Sequence, residues 1–387
     1  MEIKNLKEAS ERIKKAIKEN EKIVFYADAD IDGVTSCLIL EETLKNFNRE
    51  PSAVLFPDRN EEGYGLNENA LNIISHFGPG LLILLDCGIS NFQEIKKAKE
   101  KGFFVIIIDH HEVINDLPPA DLIVNPKQKE DQSPFKYLSN AGVVFKLATE
   151  ILKEKMGEIL KKNFLELVAL STLADMMPEI DENKIFIKEG LEHLKNSWRP
   201  SFQALNKTLR ENTNSQRMFA FKIISLLNTS ETIDHLNEIY LFLKETNEEK
   251  IKKMIQTFEE RVVQKQNKIK EIIQELEKKA IKKINEPIIF EGNEGWPLVL
   301  TGTIASRLCV KFEKPTFIFK IKEKESVGSM RTPSKINGIE LMKKSAHLLE
   351  TFGGHPRAGG FRIKNENLEN FKKSLIKSLE NNQSSII

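Results

Sequence analysis

Three short apolar runs without polar interruption stand out in the first third of the chain: KIVFYA at 22–27, LLILL at 81–85 and FFVIII at 103–108. Runs that do not alternate suit strands buried on both faces of a parallel sheet. Helix-like stretches separate them, one beginning near Val34 and one over 92–101. Strands alternating with helices imply right-handed βαβ units, and so a doubly wound α/β domain. Apolar helical patterns follow at 139–155 and 163–174.

Residues 247–285 read differently. Ile251, Ile255, Phe258, Val262, Ile269, Ile273, Leu276, Ala280 and Ile284 recur at helical spacing with no Gly or Pro between them. This predicts one long amphipathic helix, about 55 Å at 1.5 Å per residue. Such a stripe serves a coiled-coil seam between two copies or a helix joining two domains. Structured sequence beyond it favours the joining helix. After Pro287, PIIF, TFIFKI and the region around Val327 predict strands, while 304–312 and 339–349 predict helices. The expected organisation is a parallel-sheet α/β domain over 1–205, a helical connector over 206–285 and a smaller α/β domain over 286–387.

Composition narrows the function only a little. The 387 residues carry 58 Lys+Arg against 57 Asp+Glu, which argues against coating nucleic acid with the whole surface but leaves room for a local basic groove. No apolar run has the length of a membrane span, and the charged start MEIKNLKEASERIKK lacks a signal-peptide core. The cytoplasm is the expected compartment. Cys37, Cys87 and Cys309 lie far apart with no metal-type spacing and read as reduced, packed residues.

The chemistry sits where the apolar runs end. The first runs into Asp28-Ala29-Asp30-Ile31-Asp32-Gly33, the second into Asp86-Cys87-Gly88, and the third into Asp109-His110-His111. In extended chain, residues two apart point the same way, so Asp28, Asp30 and Asp32 are expected on one face. Gly33 would permit a sharp exit turn, and Val34-Thr35-Ser36 would open a helix whose free N–H groups could receive a phosphate. Ligands collect outside the carboxyl ends of strands in such sheets. Five Asp and two His at that edge suit two Mn²⁺ ions, with Mg²⁺ as the alternative. A single Asp after a strand is commonly a cap or turn residue, and His-His beside a strand is often surface decoration. The conjunction at three strand ends is harder to dismiss.

Two other motifs share parts of this pattern. An EF-hand loop needs an acid at its twelfth position, which here is Ile39, and it follows a helix rather than a strand. The nucleophile loop of haloacid-dehalogenase-type phosphatases would use Asp30 but leaves Asp109-His110-His111 unexplained.

Taken together, DADIDGVTS, LLDCGIS, IIDHHE and ALSTLADMMP resemble, in order, the four motifs of DHH phosphoesterases. FPDRNEEGYGLN, IVNPK and NAGVVFKLA are similar to the RecJ branch of that family. Further on, GWPLVLTGTIASRL and SVGSMRTPS resemble RecJ-type stretches, and GGHPRAGGF resembles the DHHA1 glycine motif. The resemblance implies that Asp30, Asp32, Asp86, His110 and Asp175 ligate two metal ions, with Asp28 and Asp109 close by. It implies that His111 contacts the scissile phosphate or steadies the site. Ser329, Arg331 and a Gly353-Gly354-His355 loop would hold substrate phosphates, as would Arg59 and Arg307.

There are departures. Tyr26 stands where some relatives carry a ligating His, and Pro297 where a His is frequent. The chain ends soon after the glycine motif, without the oligonucleotide-binding OB domain that follows in many relatives. The expected function is two-metal hydrolysis of single-stranded DNA, or RNA, from an end and 5′ to 3′, in DNA repair and recombination. A nanoRNA or cyclic-dinucleotide phosphodiesterase is the rival within the family. A binding partner of replication or repair proteins, with a weak site, is the rival from another class.

Overall fold

The early apolar runs become the centre of a parallel sheet. In the first unit, Met1–Val262, the chain passes through α1 (Leu6–Lys18), β1 (Ile23–Ala27), α2 (Ile31–Lys45), β2 (Ala53–Leu55), α3 (Glu68–Ser75), β3 (Leu81–Leu85), α4 (Phe92–Glu100), β4 (Phe104–Ile108) and β5 (Leu122–Val124). Helices α5 (Asn140–Leu152), α6 (Glu158–Ala174), α7 (Asp181–Leu194), α8 (Pro200–Leu209) and α9 (Gln216–Leu227) follow. A two-residue hairpin, β6 (Thr232–Ile233) and β7 (Leu236–Asn237), then leads to α10 (Glu238–Lys244) and α11 (Glu248–Lys282). This computed structural model describes residues 3–59, 61–113, 116–209 and 215–383.

All five strands of the first sheet are parallel, in the order β2-β1-β3-β4-β5. The unbroken apolar runs resolve into two alternating sets. Phe25, Ala27, Ile83, Leu85, Ile106 and Ile108 enter a core with α1, α2, α5 and α6. Val24, Tyr26, Leu82, Leu84, Val105 and Ile107 enter a second core with α3 and α4. Burial on both faces removes the polar alternation that a one-faced strand would show.

Strand order reverses between β1 and β3, and there the strand ends line up: Ala27 pairs with Leu85, and Leu85 with Ile108. The next residue of each strand extends the ladder by one rung. Asp28 donates its N–H to Leu85 O at 3.1 Å, Asp86 to Ile108 O at 2.9 Å and Asp109 to Val124 O at 3.1 Å. Register therefore sets three carboxylates side by side at the carboxyl edge. Downstream, Phe202, Phe219, Phe242, Ile251, Ile255 and Phe258 complete the first core.

The second unit, Val263–Ile387, begins within α11. It continues through β8 (Ile289–Asn293), α12 (Leu298–Phe312), β9 (Thr316–Ile321), β10 (Glu325–Arg331), α13 (Gly338–Lys343), β11 (Thr351–His355), β12 (Ala358–Lys364) and α14 (Leu368–Gln383). Its mixed sheet has the order β11-β12-β10-β9-β8, with only β8 and β9 parallel. Ile272 and Leu276 of α11 pack with Ile304 and Leu308 of α12 on one face. A cluster of Phe290, Phe317, Phe319, Phe361 and Phe371 fills the other.

The glycine-dense segment is not the loop expected from its composition. Gly353, Gly354 and His355 belong to β11, with Gly353 opposite Gly360 and Gly354 opposite Gly359 on β12. A Cβ on Gly354 would lie 2.4 Å from Ala358 O, and one on Gly359 would lie 2.7 Å from Gly353 O. Close approach of two backbones, together with a φ of +128° at Gly354, accounts for the glycines. Among the described residues, no helix is long and apolar enough to cross a membrane.

Candidate metal centre

The segment after β1 differs from the expected extended run of acids. The strand stops at Ala27, Asp30 caps α2 by accepting the Gly33 N–H at 3.0 Å, and Asp32 already lies in the first helical turn. The helix opens at Ile31 rather than Val34. The N–H groups of Gly33 and Val34 are not free for phosphate, because Asp30 binds both, Val34 through its backbone carbonyl at 3.0 Å. Gly33 is needed for space rather than for an exit turn: a Cβ there would sit 2.2 Å from Asp28 O.

His110 occupies the middle of the site. Its Nδ1 lies 3.0 Å from Leu138 O, a carbonyl that can only accept. That bond places the proton on Nδ1 and leaves a lone pair on Nε2. Around Nε2 stand Asp86 Oδ1 at 3.3 Å, Asp175 Oδ2 at 3.4 Å and Asp32 Oδ2 at 3.6 Å. Asp86 follows β3 with a left-handed φ of 61°, and Asp175 caps the C-terminus of α6. Asp32 is fixed at the N-terminus of α5, accepting the N–H groups of Asn140 (2.7 Å) and Ala141 (2.8 Å) and the hydroxyl of Ser171 (2.6 Å). The buried Nε2 of His110 and Oδ1 of Asp86 have no hydrogen-bond partner among the described residues. Three carboxylate oxygens facing a lone pair repel one another and it, unless a cation or added protons intervene.

The protonation equilibria carry that stress. Burial, then Asp32, Asp30, Asp28 and Asp109, push the Asp86 carboxyl well above the ordinary range. Burial, then Asp32 and Asp30, raise Asp175 to about 8. Asp28 rises to about 6 through burial and Asp30, although Arg59 opposes the shift. Burial also disfavours ionised Asp30, but Arg59 and the Gly33 N–H outweigh it and hold that carboxyl low.

Arg59, expected as a phosphate contact, lies on carboxylates instead. Its Nε is 2.7 Å from Asp28 Oδ1, and one terminal nitrogen bonds Asp28 Oδ2 and lies 2.9 Å from Asp30 Oδ2. Asp109 is fully engaged: its Oδ1 accepts the His110 and His111 N–H groups and His111 Nδ1 at 2.8 Å, and its Oδ2 accepts the Ile89 N–H. Burial works against a charged His111, but Asp109 outweighs it and raises the imidazole to about 9. Tyr64, between two glycines of left-handed φ, donates to Asp86 O at 3.0 Å and lies 3.1 Å from His111 Nδ1. Tyr26 contributes no ligand, because its hydroxyl is bound to Gly65 O at 3.0 Å.

Three groups of donors could each hold a metal ion: Asp86, His110 and His111; Asp32, His110 and Asp175; and Asp28, Asp30 and Asp86. They share Asp86 and His110, so they form one continuous cluster. Oxygen donors with a neutral imidazole fit Mn²⁺ or Mg²⁺ better than a thiophilic ion.

The second unit gathers a different set. Ser329 Oγ lies 2.9 Å from Thr301 Oγ1, and Arg331 donates to Met330 O at 2.8 Å. Both flank Gly302 of α12, where a Cβ would lie 3.0 Å from the Arg331 guanidinium and 3.4 Å from Ser329 Oγ. Arg307 is exposed on α12. The His355 side chain lies outside the described residues.

Sequence reading missed Tyr64, Ser171 and the start of α5 as parts of the centre. Ser139 before Asn140-Ala141-Gly142 was a legible N-cap signal. Nothing local tied it to Asp32, more than a hundred residues away.

Residues 22–172 match the model of the DHH family, N-terminal domain, and residues 285–381 that of the DHHA1 domain. The single-stranded-DNA-specific exonuclease RecJ of Bacillus subtilis (strain 168) is 34% identical over 388 residues, covering 98% of this chain and 48% of that protein. The RecJ exonuclease of Thermus thermophilus is 26% identical over 372 residues, covering 93% and 52%. The chain thus spans about half the length of these curated relatives. Among solved structures, an exonuclease RecJ bound to manganese gives a TM-score of 0.80 at 23% identity, covering 98% of this chain and 95% of that one. RecJ from Thermus thermophilus in complex with Mn²⁺ gives 0.81 at 22% identity, covering 98% and 55%. At these identities the structures show a shared fold.

Proposed function

Since the chain belongs to the DHH family and carries a DHHA1 domain after its DHH domain, we propose that it is a divalent-metal-dependent phosphodiesterase. In this reading it degrades single-stranded DNA from an end, 5′ to 3′, in DNA repair and recombination. The observation that carries the metal-dependent chemistry is the unpartnered, buried His110 Nε2 facing oxygens of Asp32, Asp86 and Asp175. The choice of substrate rests on the Bacillus relative, a single-stranded-DNA-specific exonuclease. A nucleic-acid substrate sets its working place in the cytoplasm.

Asp32, His110 and Asp175 would hold one ion, and Asp30 and Asp86, with Asp28, a second. Mn²⁺ is preferred, with Mg²⁺ as the alternative. When bound, the ions supply Lewis-acid activation of water and neutralise charge on the phosphoryl oxygens. His111, kept protonated by Asp109 near neutral pH, presents a positive N–H to a phosphoryl oxygen. Asp109 positions that imidazole, with Tyr64 against its Nδ1. In the second unit, Ser329 and Arg331 offer a hydroxyl and a guanidinium to substrate phosphates.

End-labelled single-stranded 30-mers of DNA and RNA, a duplex and a dinucleotide, each incubated with Mn²⁺ or Mg²⁺, test this reading. Stepwise mononucleotide release from the single-stranded DNA is expected, with the duplex resistant. Cleavage of the dinucleotide alone would replace the exonuclease by a small-substrate phosphodiesterase. No turnover with either ion, together with stable capture of a repair protein, would replace it by a binding partner.

A further inference from the structure

The donor groups differ in what already fills them. Among the described residues, no cationic side chain bonds into the position bounded by Asp32, His110 and Asp175, where a bare imidazole lone pair faces the carboxylates. The position bounded by Asp28, Asp30 and Asp86 is not bare. Arg59 grips both oxygens of Asp28 and reaches Asp30 Oδ2 at 2.9 Å. A guanidinium fork is shaped for such bidentate contact. A divalent ion at this position needs the same oxygens, and two cations drawing on them would repel at close range.

We propose that Arg59 is the resident counter-ion of the Asp28–Asp30–Asp86 position, and that a divalent ion loads this position only by displacing the guanidinium. The two positions therefore fill in order, Asp32–His110–Asp175 first. Once displaced, Arg59 has donors to offer a phosphodiester oxygen, so ion loading and substrate capture support each other. By reciprocity, whatever holds Arg59 on the acids weakens the second ion by the same factor. This inference rests on the metal-centre reading above.

Calorimetric titration of the full chain with Mn²⁺ tests it, comparing wild type with Arg59→Gln. Wild type is expected to show a tight and a weak class of site. In Arg59→Gln the weak class should tighten tenfold or more while the tight class stays within twofold. Without metal, Arg59→Gln should melt below wild type, and saturating Mn²⁺ should close that gap. Arg59→Lys, which keeps the charge but loses the fork, should fall between the two and serves if the Gln variant does not fold. An unchanged or weakened second class in either variant overturns the role of Arg59 while leaving the metal centre standing, as does a wild type with a single class. A wild type that takes up no Mn²⁺ overturns the metal centre, and this proposal with it.

Discussion

The acid-lined edge of the first sheet and the Ser329–Arg331 strand of the second unit are built on opposite electrostatic terms. At the first, Asp28, Asp30, Asp32, Asp86, Asp109 and Asp175 converge on Arg59 and two imidazoles, and several carboxyls resist ionising. At the second, a half-buried guanidinium has no salt bridge among the described residues, and it donates to the Met330 carbonyl. The first site stays strained where no cation reaches, around His110 Nε2. The second has donors in hand and is satisfied enough to fold without a ligand. Acid clusters of the first kind are rigid because register and helix termini enforce them, and they spend stability on function.

The largest expected effect breaks the first site without unfolding it. Asp86→Asn should lower turnover on a single-stranded oligomer about a thousandfold or more, since the residue is shared by two donor groups and acts where charge develops. Without metal the variant should melt at or above the wild-type temperature, because an amide replaces a carboxyl that already resists ionising. Steady-state kinetics and thermal melts read both. Turnover within tenfold of wild type would remove the contrast between the two sites.

Arg331→Gln should act on binding alone. A charge-assisted hydrogen bond contributes roughly 1.5–3 kcal/mol, so KM should rise roughly 10- to 150-fold. Turnover at saturation and the metal-free melting temperature should hardly move. A fall in kcat with KM unchanged would place Arg331 with the chemistry instead.

The pH dependence of stability separates the sites again. Asp175 rises to about 8 and Asp28 to about 6 in the folded chain, against an unfolded value of 3.8. Stability tied to acids raised in this way is fully present below the unfolded value and lost as pH rises through the folded one. The metal-free protein should therefore melt at progressively lower temperature from pH 4 to 8, and saturating Mn²⁺ should flatten that slope. Calorimetry in buffers of different ionisation enthalpy should show protons released on Mn²⁺ binding. A metal-free melting temperature that climbs across this window would contradict the strained acid cluster.

The strand ends were legible because each apolar run stops at an acid, and the observed strands β1, β3 and β4 have equal length, which aligns Asp28, Asp86 and Asp109 once they pair. The route from Asp28 to Asp32 was misjudged because extended alternation was carried past Ala27, where the chain enters a helix. Asp32 reaches the cluster by a different route than alternation implied: backbone N–H groups and a hydroxyl from residues 140, 141 and 171 hold it, a tertiary fact without local trace. The position of Arg59 was hidden likewise, since composition says only that an arginine is present. The glycine segment misled differently, because density suggests a loop whereas paired glycines also mark strands in close contact.

That last distinction supplies the smallest and sharpest test. Gly359→Ala places a methyl 2.7 Å from Gly353 O and 3.1 Å from Ile339 and Met330, so it should destabilise the second unit by about 1–3 kcal/mol. Gly353→Ala meets no heavy atom within 4 Å and needs no left-handed backbone. It should leave folding intact, or gain about 0.5–1 kcal/mol from losing glycine's freedom. If a substrate phosphate approaches the bare backbone of β11, that methyl still stands in its way. The expectation is a modest rise in KM on single-stranded DNA with kcat and melting temperature held, read in the same assay as Arg331→Gln. An unchanged KM would mean that the paired glycines serve only the close packing of β11 on β12, and that Ser329 and Arg331 bind without them.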